Sequence, residues 1–564
     1  MNLCILLISV FLSTSQAAEI GVTIFHTNDL HSHFEGVKHP VLSNEGRGHQ
    51  IRGGYSRLVS VIETIKNEKV KNDEIVFGVD AGDFFAGTIF SAIGPQIESP
   101  EFPEYEFLHK NEFTAITLGN HEFDAGNLGL ETMLRKIVST QKYTPLLATN
   151  LYLKANSKLS PFVGQNKLIK QYLIREFQSK EEKLKVGFLG ILGPDGCLVS
   201  RATRGDVQFI GFDDSRSKAQ WNELIKLLQK YIDELRKLHS VDLVVLTMHG
   251  GGDESDRLAN ELKGLNVIIA GHTHKEEFRR VNDVYITQTG SYGESLGLLE
   301  FTYDSISKEL KLKDQNKRPL IPITEKISEN LVWKSKISEW KDRAYEIMGH
   351  KKGEASKFVF TPNRDYLRAR ELFNPMGELV TLAMREELNK KYNLNLDVYF
   401  TSMGLVRTSF FKGVPYNESD IFEAVSIGFD QSMRPGTEIV SFYLTSKELV
   451  TLINFLEIYS HFSNSFAPAI SPNLSFKIRS WGIPFINRIH DILLDGKPLP
   501  QDRLIHVATN SFVFSNIETV EKLSYGVVEL SPKDEKGKKI KDLQFHSKEY
   551  IHLIDYLRSL SGKL

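Results

Sequence analysis

Six short β-rich runs between about residues 20 and 320 each end in glycine, aspartate, asparagine or histidine: "IGVTIFHTND", "EIVFGVDAGD", "FTAITLGNHEFD", "KVGFLGILGPD", "VDLVVLTMHGG" and "LNVIIAGHTH". Helical stretches separate them, and this alternation predicts an α/β fold. In such folds ligands bind outside the carboxyl ends of the strands, so chemically active side chains are expected at these edges. Turns alone call for Gly and Asp there, but not for His in four of the six runs.

The chain has 564 residues, 41% hydrophobic and 25% charged, which is enough apolar material for two large domains. Lys and Arg total 69 against 71 Asp and Glu, a net charge of -2. That balance gives no global attraction to a nucleic acid polymer or to anionic lipid, so an anionic small molecule must be held by a local site. Residues 1–18, "MNLCILLISVFLSTSQAA", read as a signal peptide, with an uncleaved anchor as the competing reading. The expected mature protein is secreted, periplasmic if bacterial, with no stable membrane insertion and no lipid-anchor tail. One of the two cysteines, Cys4, lies in that signal, which leaves Cys197 as a buried small residue and excludes an intrachain disulfide.

Residues 19–325 hold the six runs, residues 326–360 turn rich in Lys and Glu with apolar residues at helical spacing, and residues 361–564 resume an α/β pattern. The expectation is a first domain, a linking helix and a second α/β domain. "SPKDEKGKKIKD" reads as a solvated loop.

Asp29 and His31 end the first run, Asp83 follows the second, Asn120 lies in "GNHEFD", His249 in "MHGG", and His272 and His274 in "GHTH". Seven nitrogen and oxygen ligands without a thiolate suit a pair of divalent ions such as Zn, Mn, Fe or Co. Such a pair polarises a phosphoryl oxygen and stabilises in-line displacement. Each piece alone is an ordinary turn or packed histidine; their order along one sheet edge gives the combination its weight.

These motifs, with "GGYSRL", "GDFFAGT" and "QTGSYGESLG", resemble those of the 5′-nucleotidase family of calcineurin-like metallophosphoesterases. The resemblance implies a four-layer α/β/β/α metallophosphoesterase domain, joined by a helix to a C-terminal α/β domain that binds substrate and is able to rotate. It implies that Asp29, His31, Asp83 and His274 hold one metal, and that Asp83, Asn120, His249 and His272 hold the other. His121 and Asp124 match the family's catalytic dyad, the imidazole meeting the transferring phosphoryl group and the carboxylate orienting and charging it. A competing reading makes Asp124 the N-cap of the next helix. Glu122 is expected to support the loop or face solvent.

In the second domain the resemblance assigns Arg368 and Arg407 to substrate phosphate, with Arg364 a further candidate and Ser402 at a small-residue position beside the arginine loop. Phe429 and Phe512 match the base-stacking aromatics only in part. "AVSIGFDQ" shifts the first by one residue, and Asn516 to Thr519 replace a glycine-rich run that carries a ribose-binding Asp in relatives. The two rings are read either as a clamp for a base or as core. The implied activity is release of phosphate from 5′-nucleotides or related phosphoesters such as UDP-sugars. The alternative is a 2′,3′-cyclic-nucleotide 2′-phosphodiesterase with 3′-nucleotidase activity.

Overall fold

A computed structural model describes residues 19–43, 46–180, 182–199, 206–212, 220–314, 318–369, 374–460, 467–479, 488–515, 530–540 and 543–561. Residues 1–18, read from the sequence as a signal peptide, and Asn516 to Thr519 lie outside the described residues. All six runs are strands: Glu19–Thr27, Ile75–Asp80, Phe113–Thr117, Glu182–Leu192, Leu243–His249 and Val267–Ala270.

They fall into two sheets. In the first, Glu19–Thr27, Ile75–Asp80 and Phe113–Thr117 lie side by side and parallel. In the second, Glu182–Leu192, Leu243–His249 and Val267–Ala270 do the same. Alternate residues of each strand face opposite sides, and both faces are apolar, as parallel sheets buried on both sides require. Val22, Ile24, Phe77 and Val79 of the first sheet meet Val186, Phe188, Val245 and Ile269 of the second in one core. The outer face of the second sheet packs Leu189, Val244 and Leu246 on Leu224, Leu228 and Ile232 of the helix Trp221–Lys237. The outer face of the first packs Phe25 on Tyr55, Leu58 and Ile62 of the helix Tyr55–Lys71. The layers are therefore helix, sheet, sheet, helix. Sheet and helix layers leave little slack: a Cβ at Gly78 would sit 2.2 Å from the ring of Phe25.

The linking helix runs from Leu331 to Ile347, shorter than the 326–360 expected. Asn330 caps its start, accepting from the N–H groups of Val332 and Trp333. Gly349, at φ 91, turns the chain out of it, and the stretch up to residue 360 becomes a short 3-10 turn and the strand Phe358–Phe360. Trp340 of this helix is 2% exposed, and its indole N–H donates to Glu101 at 2.9 Å. It belongs to the same core as Phe34 and Phe84 on one side and Met376 and Phe422 on the other, so the second α/β region is packed onto the first.

That second region is built on a sheet in the order Pro468–Ile470, Val398–Ser402, Leu504–Asn510, Glu438–Thr445 and Gln544–Lys548. The helix Pro375–Tyr392, capped by Asn374, covers it near Val398–Ser402. Among the described residues, no helix is long and apolar enough to cross a membrane. Cys197 is buried.

Candidate active site

Parallel pairing puts the carboxyl ends of the strands at one edge, and the sequence places its polar clusters there. Asp29, His31 and His249 are fully buried, and Asp83 and Asn120 nearly so at 1% and 4% exposure. Asp29, His31 and His274 converge with all three ligating atoms within 4.8 Å of one another, and so do Asp83, His249 and His272. A third group, His31, Asp83 and His121, bridges the two. Nε2 of His249 lies 3.0 Å from Asp83 and 3.2 Å from Oδ1 of Asn120. Nε2 of His274 lies 3.3 Å from Asp29 and 3.2 Å from Nε2 of His31. All seven residues proposed as ligands from the sequence thus meet in one place.

The surroundings prepare these side chains for a cation. Nδ1 of His249 faces the Ala81 carbonyl at 2.9 Å, and Nδ1 of His31 faces that of Ala86 at 3.2 Å. A proton fixed on Nδ1 leaves Nε2 a lone pair aimed at the carboxylates. Burial lowers the His31 imidazole well below its ordinary range, so it is neutral, as a ligand must be. Burial pushes the Asp83 carboxyl up, but His249 and His121 pull harder and hold it well below the usual carboxylate range. Asn28 donates to Asp29 at 2.7 Å, and the His272 N–H donates to the same oxygen at 2.9 Å.

The backbone here is strained. Asp29, His31, Asp83, His272 and His274 all have positive φ, between 47° and 71°. Each such non-glycine residue costs about 1 to 2 kcal/mol, and strain of this kind clusters where a constellation is held in place for function. Gly119 is required by the crowding, since a Cβ there would lie 2.2 Å from Oδ1 of Asp83. An N/O donor set, the neutral, buried imidazole of His31 and converging carboxylates fit a pair of divalent ions.

Beside the clusters, Nδ1 of His121 meets Oδ2 of Asp124 at 2.5 Å. Burial lowers the His121 imidazole, Asp124 and Asp83 raise it, and the net shift is upward, toward the cation. The capping reading of Asp124 fails: the helix Gly126–Ser139 begins after Ala125 and has no side-chain cap. Glu122 is buried and accepts from the N–H groups of Gly119, Asp83 and Phe85 at 2.6, 3.0 and 3.0 Å, tying the loops of two strands together. Of its two expected environments the structure gives loop support.

From the second region, Arg407 reaches the same place, with Nη2 3.5 Å from Nε2 of His31. Arg368 donates through Nε to the Val406 carbonyl and through Nη2 to that of Met403, so these donors shape the arginine loop. Ser402 ends its strand and accepts from the Gly404 N–H at 3.2 Å. Arg364 is exposed, its guanidinium 4.8 Å from the ring centroid of Tyr366. Phe429 stacks on Phe85 of the first domain, 5.5 Å between centroids at 13°. Phe512 is half-buried at the start of the short helix Ser511–Ser515. Sequence reasoning missed Asn28, which orients Asp29, and Asp195, which lies 3.2 Å from Nε2 of His272. Both stood at the ends of quoted runs, Asn28 in "HTND" and Asp195 as the last residue of "KVGFLGILGPD", so strand-end position was the signal that could have found them.

Residues 22–276 match the calcineurin-like phosphoesterase family. The chain carries a calcineurin-like phosphoesterase domain. It is 27% identical over 342 residues to a snake venom 5′-nucleotidase of Naja atra, covering 57% of this chain and 56% of that one. It is 22% identical over 417 residues to a trifunctional nucleotide phosphoesterase of Bacillus subtilis (strain 168), covering 70% of this chain and 25% of that one. The matches thus span about half or less of these curated relatives' lengths. Among solved structures, a 5′-nucleotidase precursor from Thermus thermophilus superposes with a TM-score of 0.72 at 20% identity, covering 96% of this chain and 97% of that one. Its fold, a phosphoesterase domain followed by a second domain, is the fold described above.

Proposed function

We propose that this chain is a secreted, two-metal phosphohydrolase, periplasmic if bacterial, that removes phosphate from 5′-nucleotides or related nucleotide phosphoesters such as UDP-sugars. The observation that carries the reading is the convergence of two ligand clusters through Asp83, with His121 and Arg407 alongside. Asp29, His31, Asp83 and His274 would hold one ion, and Asp83, Asn120, His249 and His272 the other. Divalent ions held there supply Lewis-acid activation of water and neutralise charge on the phosphoryl group.

The chain's own residues supply the rest. His121, held toward its cationic form by Asp124, donates to a phosphoryl oxygen as negative charge grows on it. Arg407, beside His31, binds the phosphate, its planar fork matching two oxygens. Arg368 keeps the arginine loop in shape, and Ser402 sits at its base. Phe429 and Phe512 lie in the second domain, where the leaving nucleoside would bind, and Arg364 is a further candidate for substrate phosphate.

Initial rates on AMP, UDP-glucose, ATP and 2′,3′-cyclic AMP, with added Mn, Co or Zn and a chelator control, test the proposal. AMP or UDP-glucose is expected to lead. A dominant rate on 2′,3′-cyclic AMP would replace this reading with the cyclic phosphodiesterase. Turnover of aryl phosphates alone would sink the nucleotide assignment.

A further inference from the structure

Gly193 and Asp195, which follow the strand Glu182–Leu192, contact both histidines assigned above to the second ion. The Gly193 N–H donates to the His249 carbonyl at 2.9 Å, and Oδ2 of Asp195 lies 3.2 Å from Nε2 of His272. The two imidazoles stand edge to face, 5.3 Å between centroids. Asp195 is itself more than half exposed at 58%, on the backbone of the short helix Pro194–Val199. That backbone is pinned: the Asp195 N–H donates to Oε1 of Glu254 at 2.9 Å. Glu254 lies directly over two glycines, since a Cβ at Gly193 or Gly250 would stand 2.4 or 2.5 Å from its Oε2.

Among the imidazoles of the site, His31 and His249 turn their outer nitrogen to backbone carbonyls, whereas His272 meets a carboxylate. A carboxylate on the outer nitrogen fixes the proton there, orients the ring and makes the inner nitrogen a stronger donor. We infer that Asp195, set in place by Glu254, is a positioning residue that raises the affinity of the second metal subsite through His272. The inference rests on the two-metal reading.

The test uses the metal-free full chain and Co(II), followed by calorimetry and by visible absorption, which reports the ligand field directly. The wild type is expected to bind in two steps. In Asp195→Ala one step weakens about 10- to 100-fold, its absorption bands shift, and the other step is unchanged. Asp195→Asn, which keeps an acceptor without the charge, falls in between. Unchanged steps and spectra in Asp195→Ala would overturn the inference, as would equal weakening of both steps with a lower Tm of the metal-free protein. A wild type that takes up fewer than two ions would instead overturn the two-metal reading, and the inference with it.

Discussion

Arg407 and His31 are separated by 376 positions in the chain, yet Nη2 of the arginine stands 3.5 Å from Nε2 of the histidine. The arginine is fixed on its own side, its N–H donating to the Ala424 carbonyl at 3.0 Å and Nη1 to that of Gly404 at 3.3 Å. The packing of the second domain on the first thus brings a guanidinium to a cluster of imidazoles and carboxylates.

Replacing that cation is the first test. A charge-assisted hydrogen bond contributes about 1.5 to 3 kcal/mol, so Arg407→Ala should lower kcat/KM by about 10- to 100-fold with metal content unchanged. Arg407→Lys restores the charge without the fork and should recover only part. Steady-state kinetics beside elemental analysis decide it, and an unchanged kcat/KM in Arg407→Ala would remove the arginine from the site.

Asp83 and His121 are neighbours with different predicted roles. Asp83 touches both clusters, so Asp83→Ala should lose bound metal and turnover together. In the proposed reaction His121 acts on the phosphoryl group, so His121→Ala should keep its metal while kcat falls about 10²- to 10³-fold, the usual effect of losing one transition-state donor. Equal metal loss in both variants would move His121 from the dyad to the ligand set.

The contrast between these residues shows what could be read from the chain. The proposed ligands were legible because each lies at or just past the end of a strand, and parallel pairing sends all those ends to one edge. The second domain was less legible, because the surroundings of its side chains are set by packing between segments far apart. Phe429 meets Phe85, and Arg368 meets the Met403 and Val406 carbonyls; neither contact follows from local pattern. Asp124 reads as a histidine partner, and the competing reading as a helix cap falls away once the helix start is seen to lie after Ala125.

A buried acid makes the stability of the first domain depend on pH. Glu104 is 1% exposed; Ser32 donates to one of its oxygens at 2.7 Å, and the other has no partner. Burial pushes its carboxyl up to about 7 from 4.5. The folded state therefore holds a proton that the unfolded chain releases between those values, and the stability present below the lower one is lost as pH rises through the upper, on the order of 3 kcal/mol. Glu104→Gln keeps an acceptor for Ser32 and cannot ionise, so its Tm should fall less between pH 5 and pH 8 and exceed that of the wild type at pH 8. Parallel Tm profiles from calorimetry would show that another group titrates.

Removing the ions should weaken the fold without dissolving it. The strained turns at Asp29, His31 and Asp83 are tied by protein groups alone: the Asp29 N–H donates to the Gly82 carbonyl and the His31 N–H to that of Asp83, both at 2.9 Å. Glu122 adds its bonds to Gly119, Asp83 and Phe85. Far-ultraviolet circular dichroism of chelator-treated protein should therefore match that of the metal-loaded protein. The carboxylates and imidazoles nonetheless converge, with ligating atoms within 4.8 Å of one another in each cluster, and an ion that binds only the folded state stabilises it by about 2.7 kcal/mol at 100 times its Kd. Tm should fall on chelation and return on addition of Mn, Co or Zn in excess. A Tm that ignores both treatments would mean that these residues are held together for some purpose other than binding metal.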